Sequence, residues 1–189
     1  MTTLTTVHPR KTVLVPAFSR AGNLALILAA SAFIALMAHV RISLPFTPVP
    51  VTGQTFAVLL VGAALGSRRG AAAVLAYLAE GTLGLPVFAS GAGLAYLLGP
   101  TGGYLVGFVA AAWAVGKMAE RGHDRSFASA WLGFLLGEMA LYALGLAWLS
   151  RFVGLRQAVA LGLAPFLLAD ALKVVAAGLL LPAVWRIRR

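Results

Sequence analysis

Acidic residues are scarce in this chain: five Asp and Glu stand against fifteen Lys and Arg in 189 residues, and cysteine is missing altogether. Without cysteine there are neither disulfides nor thiolate metal sites, and the redox compartment leaves no mark. The three histidines, His8, His39 and His123, are scattered without metal-ligand spacing. No G-x-x-x-x-G-K-[ST] run occurs, because the glycines of Gly99–Gly103 have no lysine after them, so the chain is not expected to hydrolyse ATP alone. Gly91 and Gly93 lack the third glycine and the strand context of a dinucleotide site. Ser90-Gly91 has no histidine in a later helix to act as its base. An enzyme has little to stand on.

What the chain has instead is apolar length. Hydrophobic residues make up 61% and charged residues 11%, against roughly a quarter charged in soluble domains. This is the composition of an integral membrane protein. In a soluble protein a net charge of +10 points to nucleic acid, but here the basic residues flank apolar segments, where they orient a chain in the bilayer. The partner they indicate is the lipid bilayer.

Apolar runs place spans near 23–40, 54–65, 70–83, 103–119, 126–149 and 164–185. The expected fold is all-α, with six transmembrane helices in a single domain over 1–189. Residues 1–22 form a polar cytoplasmic N-terminal segment and 23–189 the bundle. The second and third spans are short, so tilt or irregular backbone shielded by other helices is expected. The first apolar run is longer than a signal-peptide core and no small-residue cleavage site follows it, so it reads as a retained span. With the N-terminus inside, eleven basic residues fall on the inner side: Arg10, Lys11, Arg20, Arg68, Arg69, Lys117, Arg121, Arg125, Arg186, Arg188 and Arg189. Only Arg41, Arg151 and Arg156 fall outside, and Lys173 lies within a span. That bias predicts both termini in the cytoplasm, in the cell membrane.

Asp170 and Lys173 share one helical face inside the last span. Each charge costs about 2.5–3.5 kcal/mol at a bilayer centre. The pair is either an ion pair that neutralises itself within a turn or a polar foothold for a ligand or ion. Two other acids lie in apolar runs. Glu80, near the outer end of the third span, either snorkels or caps. Glu138, near the middle of the fifth, is either functional or satisfied by a neighbouring helix.

Three loops share the outer side with the pair. The first carries Pro45, Pro48 and Pro50, which remove donors and fix φ, so it is extended and stiff. The second, from Gly84 to Tyr104, carries no charge at all and is expected to pack back on the bundle. Within it Thr101 is a candidate N-cap, where free N–H groups either start a helix or bind an anion. The third, 151–163, is moderately basic. Phe46, Phe88, Tyr96, Tyr142, Trp148 and Phe166 fall in or near this outer half, as an interfacial belt or as walls of a pocket. On the first span, Ala25, Ala29 and Ala32 are small residues at a spacing that lets another helix come close.

The run from Leu44 to Gly66 (LPFTPVPVTGQTFAVLLVGAALG), with Gly84–Phe88 (GLPVF), Leu98–Tyr104 (LGPTGGY) and Pro165–Lys173 (PFLLADALK), resembles the BioY family, biotin-binding S components of energy-coupling-factor transporters. The resemblance runs from the first span to the last. It implies six helices, a biotin site on the outer side, and no cofactor, with ATP used by partner subunits only. Those partners are a BioN-like transmembrane coupling subunit and a BioM-like ABC ATPase. Asp170 and Lys173 match the family's Asp-x-x-Lys, which contacts biotin, and Ser90 matches a polar position often filled by asparagine. Leu168 and Ala169 stand where the family usually has Pro-Gly. Ala25 and Ala29 match the face turned to the coupling subunit. Phe46, Tyr96 and Tyr142 complete the expected ligand site. A lysine suits the biotin carboxylate and an aspartate the ureido N–H groups. The expected activity is high-affinity capture of biotin from outside, with the Pro45–Pro50 loop as part of a lid. The rivals are an autonomous carrier using Asp170 or Glu138 as a proton relay, and a purely structural subunit.

Overall fold

The computed structural model describes residues 13–16 and 18–187. Arg10, Lys11, Arg188 and Arg189, four of the basic residues assigned to the inner side, lie outside the described residues, as does His8.

Helix α1 (Arg20–His39) opens at Ser19, whose hydroxyl accepts the Gly22 N–H, so it begins three residues before the apolar run itself. A two-residue antiparallel hairpin follows, β1 (Arg41–Ile42) on β2 (Val51–Thr52), with the three prolines of the first loop between its strands. This hairpin and a single antiparallel bridge between Phe88 and Gly91 depart from an all-α chain, and prolines that cannot donate leave the hairpin short. Helices α2 (Gln54–Leu65) and α3 (Ser67–Thr82) form a tight pair, and α4 (Leu94–Leu98) is a single turn in the second loop. The remaining elements are α5 (Gly102–Glu120), α6 (Phe127–Val153), α7 (Leu155–Gly162) and α8 (Leu167–Ile187).

Four helices are long and apolar enough to cross a bilayer: α1, α5, α6 and α8. The protein is therefore a multi-pass helical membrane protein. At about 1.5 Å per residue, α2 and α3 rise only ~18 and ~24 Å. Nine of the twelve α2 residues are buried, so its irregular approach through Val49–Gly53 is shielded by protein rather than lipid.

Helix α5 is the hub, packed on α2, α3 and α6. Its glycines make that possible. A Cβ on Gly116 would lie 2.3 Å from the Ser67 backbone nitrogen, at the corner where α2 turns into α3. The corner turns at Gly66, whose φ of +83° suits glycine alone. Without a hydrophobic drive between helices in lipid, this close backbone approach supplies the packing.

The segment 151–163 differs from the loop expected there. Helix α6 runs on to Val153, and most of the rest is α7. Pro165 biases Ala164 away from helical geometry, and Phe166 N–H turns back onto the Leu163 carbonyl. Helix α8 therefore begins at Leu167 rather than Ala164, which puts Asp170 in its first turn, roughly 4.5 Å along it. The second loop does pack inward: Phe88 is buried, edge-on to Tyr77 and stacked on Tyr96 with centroids 5.1 Å apart.

Two acids away from Asp170 find clear roles, Glu80 named from sequence and Asp124 not. Glu80 accepts from the buried Ser31 hydroxyl at 2.6 Å, joining α3 to α1. At the opposite end, in the α5–α6 loop, Trp185 donates to Asp124 at 2.6 Å. Burial pushes that carboxyl above its ordinary range, the Trp185 bond acting against it.

Candidate functional site

The loops at the Asp170 end of the bundle are tied to one another and to its helices. Arg41 donates to the Ser90 hydroxyl at 2.8 Å, joining the hairpin to the second loop. Thr47 donates to the Leu161 carbonyl at 2.8 Å, joining it to α7. The Trp148 indole donates to the Gly99 carbonyl at 2.9 Å, and the Tyr104 hydroxyl to the Gly162 carbonyl at 2.8 Å. The last of these is buried and holds the end of α7 over α5. Tyr104→Phe, which leaves that carbonyl without its donor, is expected to cost about 1–2 kcal/mol. The melting midpoint of the detergent-solubilised protein should fall by roughly 3–6 °C.

Beneath these ties lies a narrow cavity of about 50 Å³. Its polar lining comes from Thr52, Gln54, Thr101, Tyr104, Tyr142 and Asp170, and its apolar walls from residues such as Tyr96, Phe108, Leu141 and Phe166. Gln54 is oriented by its own bond, donating to the Tyr77 hydroxyl at 2.7 Å. Thr101 starts α5, yet its side chain makes no capping bond, so its hydroxyl remains available to the cavity.

Asp170 is 6% exposed. One oxygen accepts from the Lys173 ammonium at 2.7 Å and the other from the Tyr142 hydroxyl. The first turn of α8 favours a carboxylate there, since the helix dipole presents its positive end. The ion pair, one of the two readings open in the sequence, therefore exists, and its carboxylate lines the cavity. The pair and the phenol together offer acceptors and a cation beside apolar and aromatic walls. Such a site suits a small molecule with an apolar body, N–H donors and an anionic end.

The structure brings Tyr96, Tyr142 and Asp170 to this cavity, with Lys173 one bond behind Asp170. It does not bring Phe46, which is 58% exposed on the hairpin loop, nor Ser90, whose hydroxyl is held by Arg41 at the rim. Both lie on loops whose facing is set by contacts distant in sequence. Ala25 and Ala29 face outward on α1, away from the bundle. Thr52, Gln54 and Tyr104 are lining residues that the sequence reading did not select. Gln54 carried a signal, as a polar amide opening a mostly apolar helix.

Glu138 stands apart. It is 5% exposed on α6, one turn before Tyr142, and neither carboxyl oxygen has a hydrogen-bond partner among the described residues. It lines a groove of about 480 Å³ between α6 and α8.

Among known proteins, the BioY family model matches residues 8–189. The biotin transporter BioY of Thermotoga maritima is 43% identical over 141 residues, which cover 74% of this chain and 82% of that one. The probable biotin transporter BioY of Pyrococcus horikoshii is 41% identical over 138 residues, 72% of this chain and 81% of that one. A similar fold is found in the 2.1 Å crystal structure of the S-component for biotin from an ECF-type ABC transporter. The TM-score is 0.77, with 91% of this chain and 95% of that one covered at 24% identity.

Proposed function

The chain belongs to the BioY family, and from that premise we propose that it captures biotin at the Asp170 cavity and delivers it across the membrane. The observation that carries this reading is the Asp170–Lys173–Tyr142 cluster, whose buried carboxylate opens with the Tyr142 phenol onto the cavity under the hairpin. Asp170 accepts the ureido N–H groups and Lys173 meets the carboxylate. The rings of Tyr96 and Phe166 flank the bicycle. The hairpin loop carrying Phe46, together with Ser90 and Arg41, forms the cover rather than the floor. The similar fold of an S-component from an ECF-type ABC transporter supports assembly with a BioN-like coupling subunit and a BioM-like ABC ATPase, which alone uses ATP. The outward face of Ala25 and Ala29 supports α1 as the surface that meets the coupling subunit. Six crossings, with α2 and α3 completing the bundle and both termini cytoplasmic, follow from the basic residues at one end of it.

Titration of the purified full-length chain with biotin tests the reading. Saturable binding and a raised melting midpoint are expected, with weaker binding of biotin methyl ester, which lacks the anionic end. No binding of biotin would overturn it. Proton-driven uptake of biotin by vesicles holding this chain alone, without ATP, would replace it with an autonomous carrier.

A further inference from the structure

Tyr142 and Asp170 line both the narrow cavity and the wide α6–α8 groove. Small-molecule sites span roughly 300–1,000 Å³, and the cavity holds about 50 Å³. A ligand the size of biotin therefore requires a wall to move. Asp170 is short and fixed by the start of α8. Tyr142 is long, and the groove beside it offers space of about 480 Å³.

A phenol that swings into this groove leaves its bond to Asp170. Met139 and Leu167, both exposed, line the groove, and an unmet hydroxyl among apolar groups is costly. One acceptor waits there. Glu138 lies four residues before Tyr142 on the same face of α6, in the N-terminal direction toward which helical side chains tend to lean. Both Glu138 oxygens are buried and lack a donor among the described residues. Resting on the reading of Asp170 as a ligand residue, we infer that Glu138 is the positioning residue that receives the Tyr142 hydroxyl when biotin enters. The transfer merges cavity and groove and frees the second Asp170 oxygen for the ligand. An acceptor without a donor in the ligand-free protein is the counterpart of a donor that moves on binding.

The test uses the full-length protein in detergent, with biotin affinity and ligand-free melting measured on the same samples. Glu138→Leu is expected to weaken biotin at least tenfold while raising the ligand-free melting midpoint, because it removes a buried group that has no partner. Glu138→Gln, which keeps an acceptor, should restore affinity to within about threefold. In a Tyr142→Phe background, Glu138→Leu should have no further effect on binding, since no hydroxyl remains to be received. Wild-type affinity in Glu138→Leu overturns the inference, as does an undiminished effect in the Tyr142→Phe background. A Glu138→Leu chain that melts lower or fails to accumulate marks the residue as structural and also overturns it. Asp170→Asn separates the two levels. If it weakens binding while Glu138→Leu does not, only the transfer falls; if it binds biotin as wild type, the site itself lies elsewhere.

Discussion

Asp170→Asn and Lys173→Ala are each expected to weaken biotin binding at least tenfold, about 1.4 kcal/mol or more per substitution. The reason is the geometry of one short helical turn. Asp170 accepts from Lys173 on one oxygen and from Tyr142 on the other, so the carboxylate fixes the cation and the phenol at once. Asparagine keeps the shape and loses the charge, and Lys173 is then left with its part-buried ammonium uncompensated. Breaking one side of a buried pair costs about 3–5 kcal/mol, so both single variants should also melt lower. Asp170→Leu combined with Lys173→Leu separates stability from function. Removing both charges is expected to recover most of the lost stability, whereas biotin binding remains absent. Isothermal titration and thermal unfolding on the same preparations read both effects. If the double variant binds biotin as the wild type does, the pair is an internal clasp and no more.

Gly116→Val should be the most damaging substitution away from the cavity. The new Cβ would meet the Ser67 nitrogen at 2.3 Å and the Gly66 carbonyl carbon at 2.5 Å. Both are backbone atoms at a corner set by the φ of Gly66, so no side chain can rotate away. Helix α5 must then lift from the α2–α3 corner, and as the hub it carries α6 with it. A loss of about 3 kcal/mol or more is expected, with a fall of at least roughly 6 °C in the melting midpoint. Because α5 also delivers Thr101 and Tyr104 to the cavity, biotin affinity should fall along with stability. Unchanged melting would show that the corner yields where its backbone suggests it does not.

Asp170 and Lys173 were legible as a pair because two charges in an apolar span demand a reason, and their spacing of three sets a common face whatever the neighbours do; the structure joins them. The inward packing of the second loop was legible too, since twenty uncharged residues have little cause to stay in water. The positions of Ser90 and Phe46 at the rim were not legible. Arg41, forty-nine positions away, holds Ser90 at the rim, and the short hairpin turns Phe46 outward; neither contact leaves a trace in local pattern. The start of α8 shifted by three residues because the Pro165 turn outweighed a continuous apolar run.

Hydropathy and charge are sums over side chains, and so the linear chain alone was enough to specify a basic-flanked helical membrane protein with an ionic pair in its last helix. Which polar groups meet is another matter. The gathering of Gln54, Thr101, Tyr104 and Tyr142 around Asp170, and the lone carboxyl of Glu138 beside them, depends on the rotation and close approach of α2, α5, α6 and α8. Glycine-backed contacts between distant backbones set those angles, and they exist only once the bundle has packed.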